Sequence, residues 1–303
     1  QAGAGMNTAR QVGLKLGIPQ ATPAFTVNMV CGSGLKAVAL GADAIAQGEA
    51  GLVLAGGVES MSNAPHYAMD ARFGKKLGEP RLRNAILTDG LSDPLLQRSM
   101  GDIAGDLARE YGISREEQDE FALQSQQRAA AAREAFAREI VPVDKVETDE
   151  HPRPDTMLEK LQSLAPAFGE EGTITAGNAS GINDGAATVL LANDAALAGH
   201  ALESRARIIG ATALGCDPAR FGLGPVGAVQ SLCEQTGWDL AGVDAVEINE
   251  AFAVQTLACA RDLGLSDAQL NPRGGAIALG HPIGASGARI LVTLLYHLED
   301  TNT

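Results

Sequence analysis

The sequence has few aromatic residues and few positive charges. The first shortage limits which side chains can fill an interior, and the second argues against one class of partner. Aromatic residues make up 4% of the 303 positions, so an interior must be built from aliphatic and small side chains. Lysine and arginine number 23 against 37 acidic residues, a formal net charge of −14 that argues against a nucleic-acid partner. No apolar run has the length of a membrane span and no signal-peptide pattern opens the chain, so we expect no membrane association.

Cysteine is also scarce and irregularly placed. The four cysteines form no Cys-x-x-Cys pair and no disulfide framework: Cys31, Cys216, Cys233 and Cys259. This usage fits a reducing compartment and predicts a cytoplasmic protein. A metal site is disfavoured as well, because no two histidines have helical ligand spacing.

The abundance of glycine, with 36 residues, and a hydrophobic content of 45% indicate closely packed helices on sheets. We therefore expect an α/β protein with two domains, or one large unit with an insertion. The chain opens at Gln1 without an initiator methionine and closes at Thr303 directly after a helical pattern. Both ends are expected to be cuts through a larger unit.

One cysteine stands at a predicted turn from strand to helix. The β-branched and aromatic run 24–27 predicts a strand, Cys31 follows it, and a helical pattern covers 35–46. At a helix N-terminus the backbone N–H groups and the helix dipole favour a thiolate, which is a nucleophile at neutral pH. A cysteine can equally be a small buried hydrophobe, and this stretch alone does not decide between the two interpretations.

The remaining patterns predict an α/β core interrupted by an insertion. From about 61 to 180 the charge density rises and strand signals are sparse, so this region is expected to cover the core. The predicted helices cover 8–16, capped by Asn7, a long stretch from the Ser114 capping box through 136, 225–236, a segment up to 263, and a final segment. The predicted strands cover 51–57, buried on both faces, 186–191, 206–213 and 243–248.

A short internal repeat links the two ends of the chain. The stretch 33–36, Ser-Gly-Leu-Lys, and the stretch 286–289, Ser-Gly-Ala-Arg, each open a predicted helix. A duplicated α/β half with one reactive residue on each copy would explain the repeat better than chance. Two such halves packed together would bring both helix N-termini toward one pocket.

Two polar residues are candidate partners for Cys31. His281 lies in a glycine-rich turn before Pro282, and we expect this rigid loop to keep the imidazole exposed as a base. Asn249 ends a predicted strand, where its amide can orient a partner or a water. The glycines do not form a Rossmann fingerprint, because a third glycine is missing after 32–34, and no Gly-Lys-Ser/Thr follows 280–287 as in a P-loop.

Five motifs, present in the same order along the whole chain, together resemble the thiolases: 28–36, 56–62, 177–181, 249–252 and 274–289. The resemblance implies the thiolase fold, an α/β architecture of two duplicated βαβαβαββ halves in a five-layer α-β-α-β-α arrangement with an inserted loop domain. It places an N-terminal half at 1–62 with its start missing, the loop domain and the return to that half at 63–182, and a C-terminal half at 183–303 with its end missing.

The resemblance also implies a CoA-dependent acyltransferase that cleaves or forms 3-ketoacyl-CoA. Cys31 would be the acylated nucleophile, His281 would activate it and help to form an oxyanion hole, and Asn249 would hold the water that completes the hole. CoA or acyl-CoA would be the substrate, with no covalently bound cofactor, and the chain would form a homo-oligomer, a dimer of dimers. Residues matching CoA or acyl contacts are Leu91, Met100, Arg153, Phe168, Ala176, Gly177, Ser180, Ala251 and Phe252, of which Arg153 would meet the nucleotide end.

Two departures from the family pattern leave alternatives open. Thiolases of this type carry a C-terminal Cys-x-Gly segment whose cysteine moves the proton of the α-carbon, and this sequence stops before it. Ser99 also precedes Met100 where acetoacetyl-CoA-specific members often have histidine. A decarboxylating condensing enzyme of the same superfamily needs no second cysteine, and neither does a truncated, non-catalytic paralogue that binds CoA or a partner subunit.

Overall fold

The computed structural model describes residues 2–302, which contain eleven α-helices and six strands. The helices are α1 (Thr8–Lys15), α2 (Ser33–Ala46), α3 (Met100–Tyr111), α4 (Arg115–Ala131), α5 (Arg133–Glu139), α6 (Leu158–Gln162), α7 (Asp194–His200), α8 (Gly224–Thr236), α9 (Ala253–Leu263), α10 (Ala276–Leu279) and α11 (Ile283–Thr301). The strands are β1 (Leu52–Glu59), β2 (His66–Tyr67), β3 (Arg83–Asn84), β4 (Ser92–Asp93), β5 (Arg98–Ser99) and β6 (Gly185–Ala192). Short 3₁₀ segments cover Val30–Gly32, Met61–Asn63, Pro218–Leu223 and Leu240–Gly242, and a π-helical turn covers Leu87–Leu91.

Capping side chains start the helices where the sequence predicts them. The Asn7 side chain accepts a hydrogen bond from the Arg10 amide at 3.1 Å, and Ser114 forms a reciprocal capping box with Glu117. The prediction of one continuous helix through 136 is wrong in one respect, because the helix is interrupted at Ala132 between α4 and α5. The interruption lets Phe136 pack into a separate small cluster with Leu279.

The longest β ladder joins β1 to β6 antiparallel, with Leu52 opposite Ala192 and Glu59 opposite Gly185. Helices α2 and α11 cover one face, where Gly41 lies against Val53. The opposite face of β1 is open, and three of its side chains keep 39–49% of their surface exposed: Leu52, Leu54 and Val58. The prediction that this strand is buried on both faces is therefore wrong, because burial alternates along it with the period of the pleat.

Three predicted strands are not strands in the structure. The runs 24–27, 206–213 and 243–248 form no ladder within residues 2–302, apart from a parallel bridge of Val246 with Leu270. Residues of high β propensity form a strand only when a neighbouring backbone accepts and donates their hydrogen bonds. Val246 exchanges such bonds with Gln269 and Asn271, which is enough for one bridge and too little for a ladder. The five-layer arrangement of two βαβαβαββ halves stays a prediction, and so do the domain boundaries at 62/63 and 182/183.

Helix α9 lies at the centre of the core. Ala253, Val254, Ala258 and Cys259 on this helix have no exposed surface. One side of α9 packs with α4 and α8, and the other side packs with α3. Helices of the insertion therefore cover the helix that follows the 249–252 motif. Among the described residues, no helix is long and apolar enough to cross a membrane.

The two copies of the internal repeat meet where α2 crosses α11. A Cβ atom at Gly34 would lie 2.7 Å from the Ala288 nitrogen, and one at Gly287 would lie 2.6 Å from the Leu35 nitrogen. Only glycine permits so close an approach of two backbones. The prediction that the two helix N-termini meet is confirmed, and their crossing places Cys31 and His281 side by side.

Candidate active site

The turn that carries Cys31 is held by its own side chains. The Met29 amide donates to Ser33 Oγ at 2.8 Å, and the Ser33 hydroxyl donates to the Val30 carbonyl at 2.7 Å. These bonds hold Val30 at φ +48°, a left-handed conformation that β-branched residues rarely adopt. Strain of this kind concentrates at functional sites, and here it lies next to the candidate nucleophile.

Cys31, His281 and Asn249 come together, as the sequence predicts. Cys31 Sγ lies 3.0 Å from His281 Nε2, and Asn249 Nδ2 lies 3.3 and 3.4 Å from the two ring nitrogens of His281. Asn249 Oδ1 is buried and accepts no hydrogen bond from a described residue. The imidazole itself is only 6% exposed, so the prediction of an exposed histidine is wrong. The fold encloses the loop between α2, β6 and α11.

Burial makes this pair a neutral one. Burial, and secondarily the charge of Glu59, raise the pKa of the Cys31 thiol to about 11, although its own backbone N–H acts in the opposite direction. Burial and the charge of Arg289 lower the pKa of His281 to about 4. Burial therefore opposes the thiolate that the helix N-terminus at Cys31 is expected to favour. At pH 7 a thiol faces an uncharged imidazole that can accept its proton.

Glu250, next to Asn249, fixes the loop that leads to His281. Its carboxylate accepts hydrogen bonds from Ser125 Oγ at 2.7 Å, from Asn271 Nδ2 at 2.9 Å and from the Ile277 amide at 3.1 Å. The residue is 1% exposed, and burial raises its pKa. Gly275 lies against this carboxylate and leaves no room for a Cβ. One side chain thus ties α4, the turn at 271 and α10 together behind the site.

Glu59 at the end of β1 has a role that sequence reasoning missed. Its Oε2 accepts a hydrogen bond of 2.9 Å from the Gly284 amide, in the first turn of α11. Pro282, at the N-cap position of α11, provides no side-chain cap. A carboxylate from the first half of the chain therefore caps the helix that follows His281. In the sequence, the signal for this cap is that Glu59 is an acidic residue shortly after a predicted strand.

The predicted pantetheine positions lie on one tightly held loop. Asn178 Oδ1 accepts from the Thr175 amide at 2.8 Å, and Asn178 Nδ2 donates to Asp119 Oδ1 at 2.9 Å. Asp119 is completely buried and pairs with Arg115 at 2.7 Å. This network presents Ala176, Gly177 and Ser180, and the Ser180 amide and hydroxyl both donate to the Ala251 carbonyl at 3.0 Å.

The two predicted acyl-pocket residues, Met100 and Phe252, belong to one apolar wall. Phe168, predicted as an apolar wall near the nucleotide end of CoA, and Ala251 pack against the same buried cluster. The rings of Phe168 and Phe252 meet edge to face, with centroids 6.3 Å apart. Ser99, the departure noted in the sequence, caps α3 by accepting from the Asp102 amide at 3.1 Å.

Two predicted contact residues stand apart from these groups. The Arg153 backbone amide donates to Gln126 Oε1 at 2.8 Å, but its side chain is exposed and forms no ion pair within residues 2–302. Leu91 ends the π-helical turn, whose Gly90 approaches Ile283 just after His281. Across the part of the chain that the structure describes, no three His, Cys, Asp or Glu side chains converge as metal ligands.

A thiol beside an imidazole and an amide is an arrangement that can support attack of sulfur on a carbonyl carbon. The chain belongs to the thiolase family: the "Thiolase, N-terminal domain" model matches residues 1–195 and the "Thiolase, C-terminal domain" model matches residues 202–303.

Known proteins extend this similarity over nearly the whole chain. The chain is 49% identical to an acetyl-CoA acetyltransferase of Pseudomonas aeruginosa over 98% of its length and 78% of that relative. The structure of human mitochondrial 3-ketoacyl-CoA thiolase in complex with CoA matches with a TM-score of 0.96 and 44% identity, covering 99% of this chain and 78% of the human one. An acetyl-CoA acetyltransferase from Syntrophomonas wolfei matches with a TM-score of 0.96 and 38% identity, covering 100% and 80%. The predicted thiolase fold is confirmed.

Proposed function

We propose that this chain is a CoA-dependent acyltransferase that cleaves 3-ketoacyl-CoA by thiolysis, or forms it by the reverse Claisen condensation, through an acyl group on Cys31. The observation that carries the proposal is the 3.0 Å approach of Cys31 Sγ to His281 Nε2. Family membership gives the reaction class, and the enclosed thiol–imidazole pair supplies the nucleophile and base that this class requires.

The proposed reaction has two halves. His281 Nε2 takes the thiol proton while Cys31 Sγ bonds to the 3-keto carbon and the carbonyl electron pair moves to oxygen. The oxyanion then reforms the carbonyl, the C2–C3 bond breaks with its electron pair staying on C2 of the departing acetyl-CoA, and C2 takes up one proton as His281 gives up the one it had taken from sulfur, so that the acyl group is left on sulfur. In the second half the thiol of a CoA gives its proton to His281 and attacks the acyl carbon, the resulting oxyanion collapses to the new thioester, and the released Cys31 sulfur takes the proton back from His281.

Asn249 and the apolar wall support this chemistry in different ways. The Asn249 amide nitrogen lies 3.3 Å from His281 Nε2, and its buried Oδ1, which has no partner among the described residues, can accept a hydrogen bond from a water that in turn donates to the developing oxyanion. Met100, Phe168 and Phe252 would shield the acyl chain from water. Of the other cysteines, Cys259 is buried and donates to the Gly222 carbonyl, and Cys216 is exposed near Gly224, so neither suits a second catalytic thiol.

The experiment follows the ketoester and the sulfur together. Incubation with acetoacetyl-CoA and CoA should consume the ketoester, and mass spectrometry after rapid quenching should find acetyl on the peptide that contains Cys31. Cys31→Ser is the control that should abolish both signals. An unmodified Cys31 peptide together with stable acetoacetyl-CoA would refute the proposal.

CoA is proposed to lie along the loop of Ala176, Gly177 and Ser180, with its phosphates near Arg153. The exposed Arg153 guanidinium, which forms no ion pair with a described residue, suits a phosphate, and a net charge of −14 makes a local cation necessary. Arg153→Ala should raise KM for CoA about 5- to 10-fold while leaving kcat unchanged, as expected for one exposed ionic contact. Arg133→Ala, an exposed arginine on α5, is the matched control. Equal effects of both variants would count against the CoA placement.

The alternatives from the sequence are not favoured by the named relatives. Turnover of a malonyl thioester in place of acetoacetyl-CoA would identify a decarboxylating condensing enzyme, and CoA binding with no acylation would identify a non-catalytic paralogue. We further propose a cytoplasmic homo-oligomer, a dimer of dimers. Sedimentation analysis tests the assembly, and acyl-CoA substrates of increasing length test the pocket.

A further inference from the structure

Behind the candidate base, a hydrogen-bonded chain continues away from Cys31. His281 Nδ1 lies 2.6 Å from Ser286 Oγ, and the Ser286 hydroxyl donates to the Pro282 carbonyl at 3.0 Å. Ser286 is 1% exposed and stands in the first turn of α11. The imidazole is thus held at both ring nitrogens, by sulfur on one side and by this hydroxyl on the other.

The number of protons along these hydrogen bonds selects one tautomer of His281. A neutral imidazole has a single N–H, and a serine hydroxyl has a single proton to donate. If the Ser286 proton goes to the Pro282 carbonyl, its oxygen can only accept, so the ring proton belongs on Nδ1. The Nε2 lone pair then faces Cys31 Sγ at 3.0 Å, with the Asn249 amide as a second donor at 3.3 Å. In the opposite tautomer Nε2–H would donate toward sulfur, and the nitrogen that faces Cys31 could not take its proton.

We propose that Ser286 is a positioning residue that holds His281 in the Nδ1–H tautomer, an inference that rests on the proposed role of His281 as base toward Cys31. The hydroxyl does not touch the reacting atoms. It acts by deciding which ring nitrogen is free to take the thiol proton.

The same hydroxyl serves the charged state that follows. Once Nε2 has taken the proton from sulfur, both ring nitrogens are donors, and Nδ1–H keeps its partner in Ser286 Oγ. Without that oxygen the imidazolium would have an unpartnered N–H in a buried site, where no water replaces the lost bond. Because Ser286 lies on the rigid first turn of α11, the partner is already in place before the proton moves.

Nitrogen NMR on the intact chain tests the tautomer directly. Protein labelled with ¹⁵N at histidine gives well-separated signals for protonated and bare ring nitrogens, and His281→Gln identifies the pair that belongs to His281. At pH 7 we expect Nδ1 protonated and Nε2 bare. A protonated Nε2 in the unaltered protein overturns the proposal, whatever the variants do.

Two variants of equal shape separate the hydroxyl from the packing. Ser286→Thr keeps the hydroxyl and Ser286→Val replaces it with a methyl group, so both add the same bulk. We expect the threonine variant to keep Nδ1 protonated and Nε2 bare, and the valine variant to show protonation of Nε2, because its Nδ1 has lost the buried acceptor. Identical histidine spectra of the two variants overturn the proposal. These NMR readouts need no acyl-CoA, so a failure of thiolysis with the Nδ1–H tautomer intact would count against the proposed function alone.

Discussion

Raising the pH should reveal how firmly the fold keeps Cys31 as a thiol. Burial raises its pKa from an ordinary 9.0 to about 11. Two units correspond to about 3 kcal/mol against the charged form. At pH 7 the thiolate would then be about one molecule in 10,000, against about one in 100 for an unperturbed thiol.

Iodoacetamide provides the assay, since it reacts with the thiolate. Peptide mass spectrometry follows each cysteine separately, with exposed Cys216 as an internal reference for the reagent. The logarithm of the Cys31 rate should rise with unit slope from about pH 6 to 9.5 without a plateau, because the group titrates above this window. Glu59→Gln should shift the Cys31 profile to lower pH, since the Glu59 charge is one cause of the raised pKa. A plateau beginning near pH 8 or below would show a resting thiolate–imidazolium pair and refute the reasoning.

Three further predictions concern stability. Glu250→Ala should lower the free energy of unfolding by about 3–5 kcal/mol, because it leaves three buried donors unpaired. Glu250→Gln should lower it by only about 1–2 kcal/mol. Equal losses for the two variants in urea unfolding would contradict this prediction. Gly34→Ala should lower the thermal midpoint, while Gly105→Ala in α3, with open space around it, should raise stability by about 0.5–1 kcal/mol. The lowered pKa of His281 gives stability that is present above pH 6.5 and lost as the pH falls through about 4. The difference in free energy of unfolding between the unaltered protein and His281→Gln should therefore shrink by about 3 kcal/mol over that window. A difference that stays constant with pH would contradict this prediction.

The parts of the fold that depend on local chemistry could be predicted. Caps at Asn7 and Ser114 fixed helix starts because the capping atoms lie within three residues of the amides they accept from. The convergence of Cys31, His281 and Asn249 was accessible for a different reason, the resemblance of five ordered motifs. Their roles in the reaction stay predictions until the acyl group is found on sulfur.

What depends on distant neighbours could not be predicted. The run 206–213 has strand composition, yet its state depends on whether another backbone lies beside it. The charge state of Cys31 depends on how much protein encloses it, which no local pattern records. Ser286 and Glu59 were missed as site residues because their partners, an imidazole nitrogen and a helix amide, become apparent only once α11 is in place.

The crossing of α2 and α11 has a consequence for the order in which the site is made. Cys31 and His281 are 250 positions apart, so a growing chain exposes its candidate nucleophile long before the base is synthesised. Contacts this distant in sequence form late, because closing the long loop between them costs conformational entropy before the contacts can stabilise the fold. Until α11 docks through Gly34 and Gly287, Cys31 lacks the neighbours that enclose it. Its loss of reactivity toward a thiol reagent during refolding would therefore report the docking of α11 on α2.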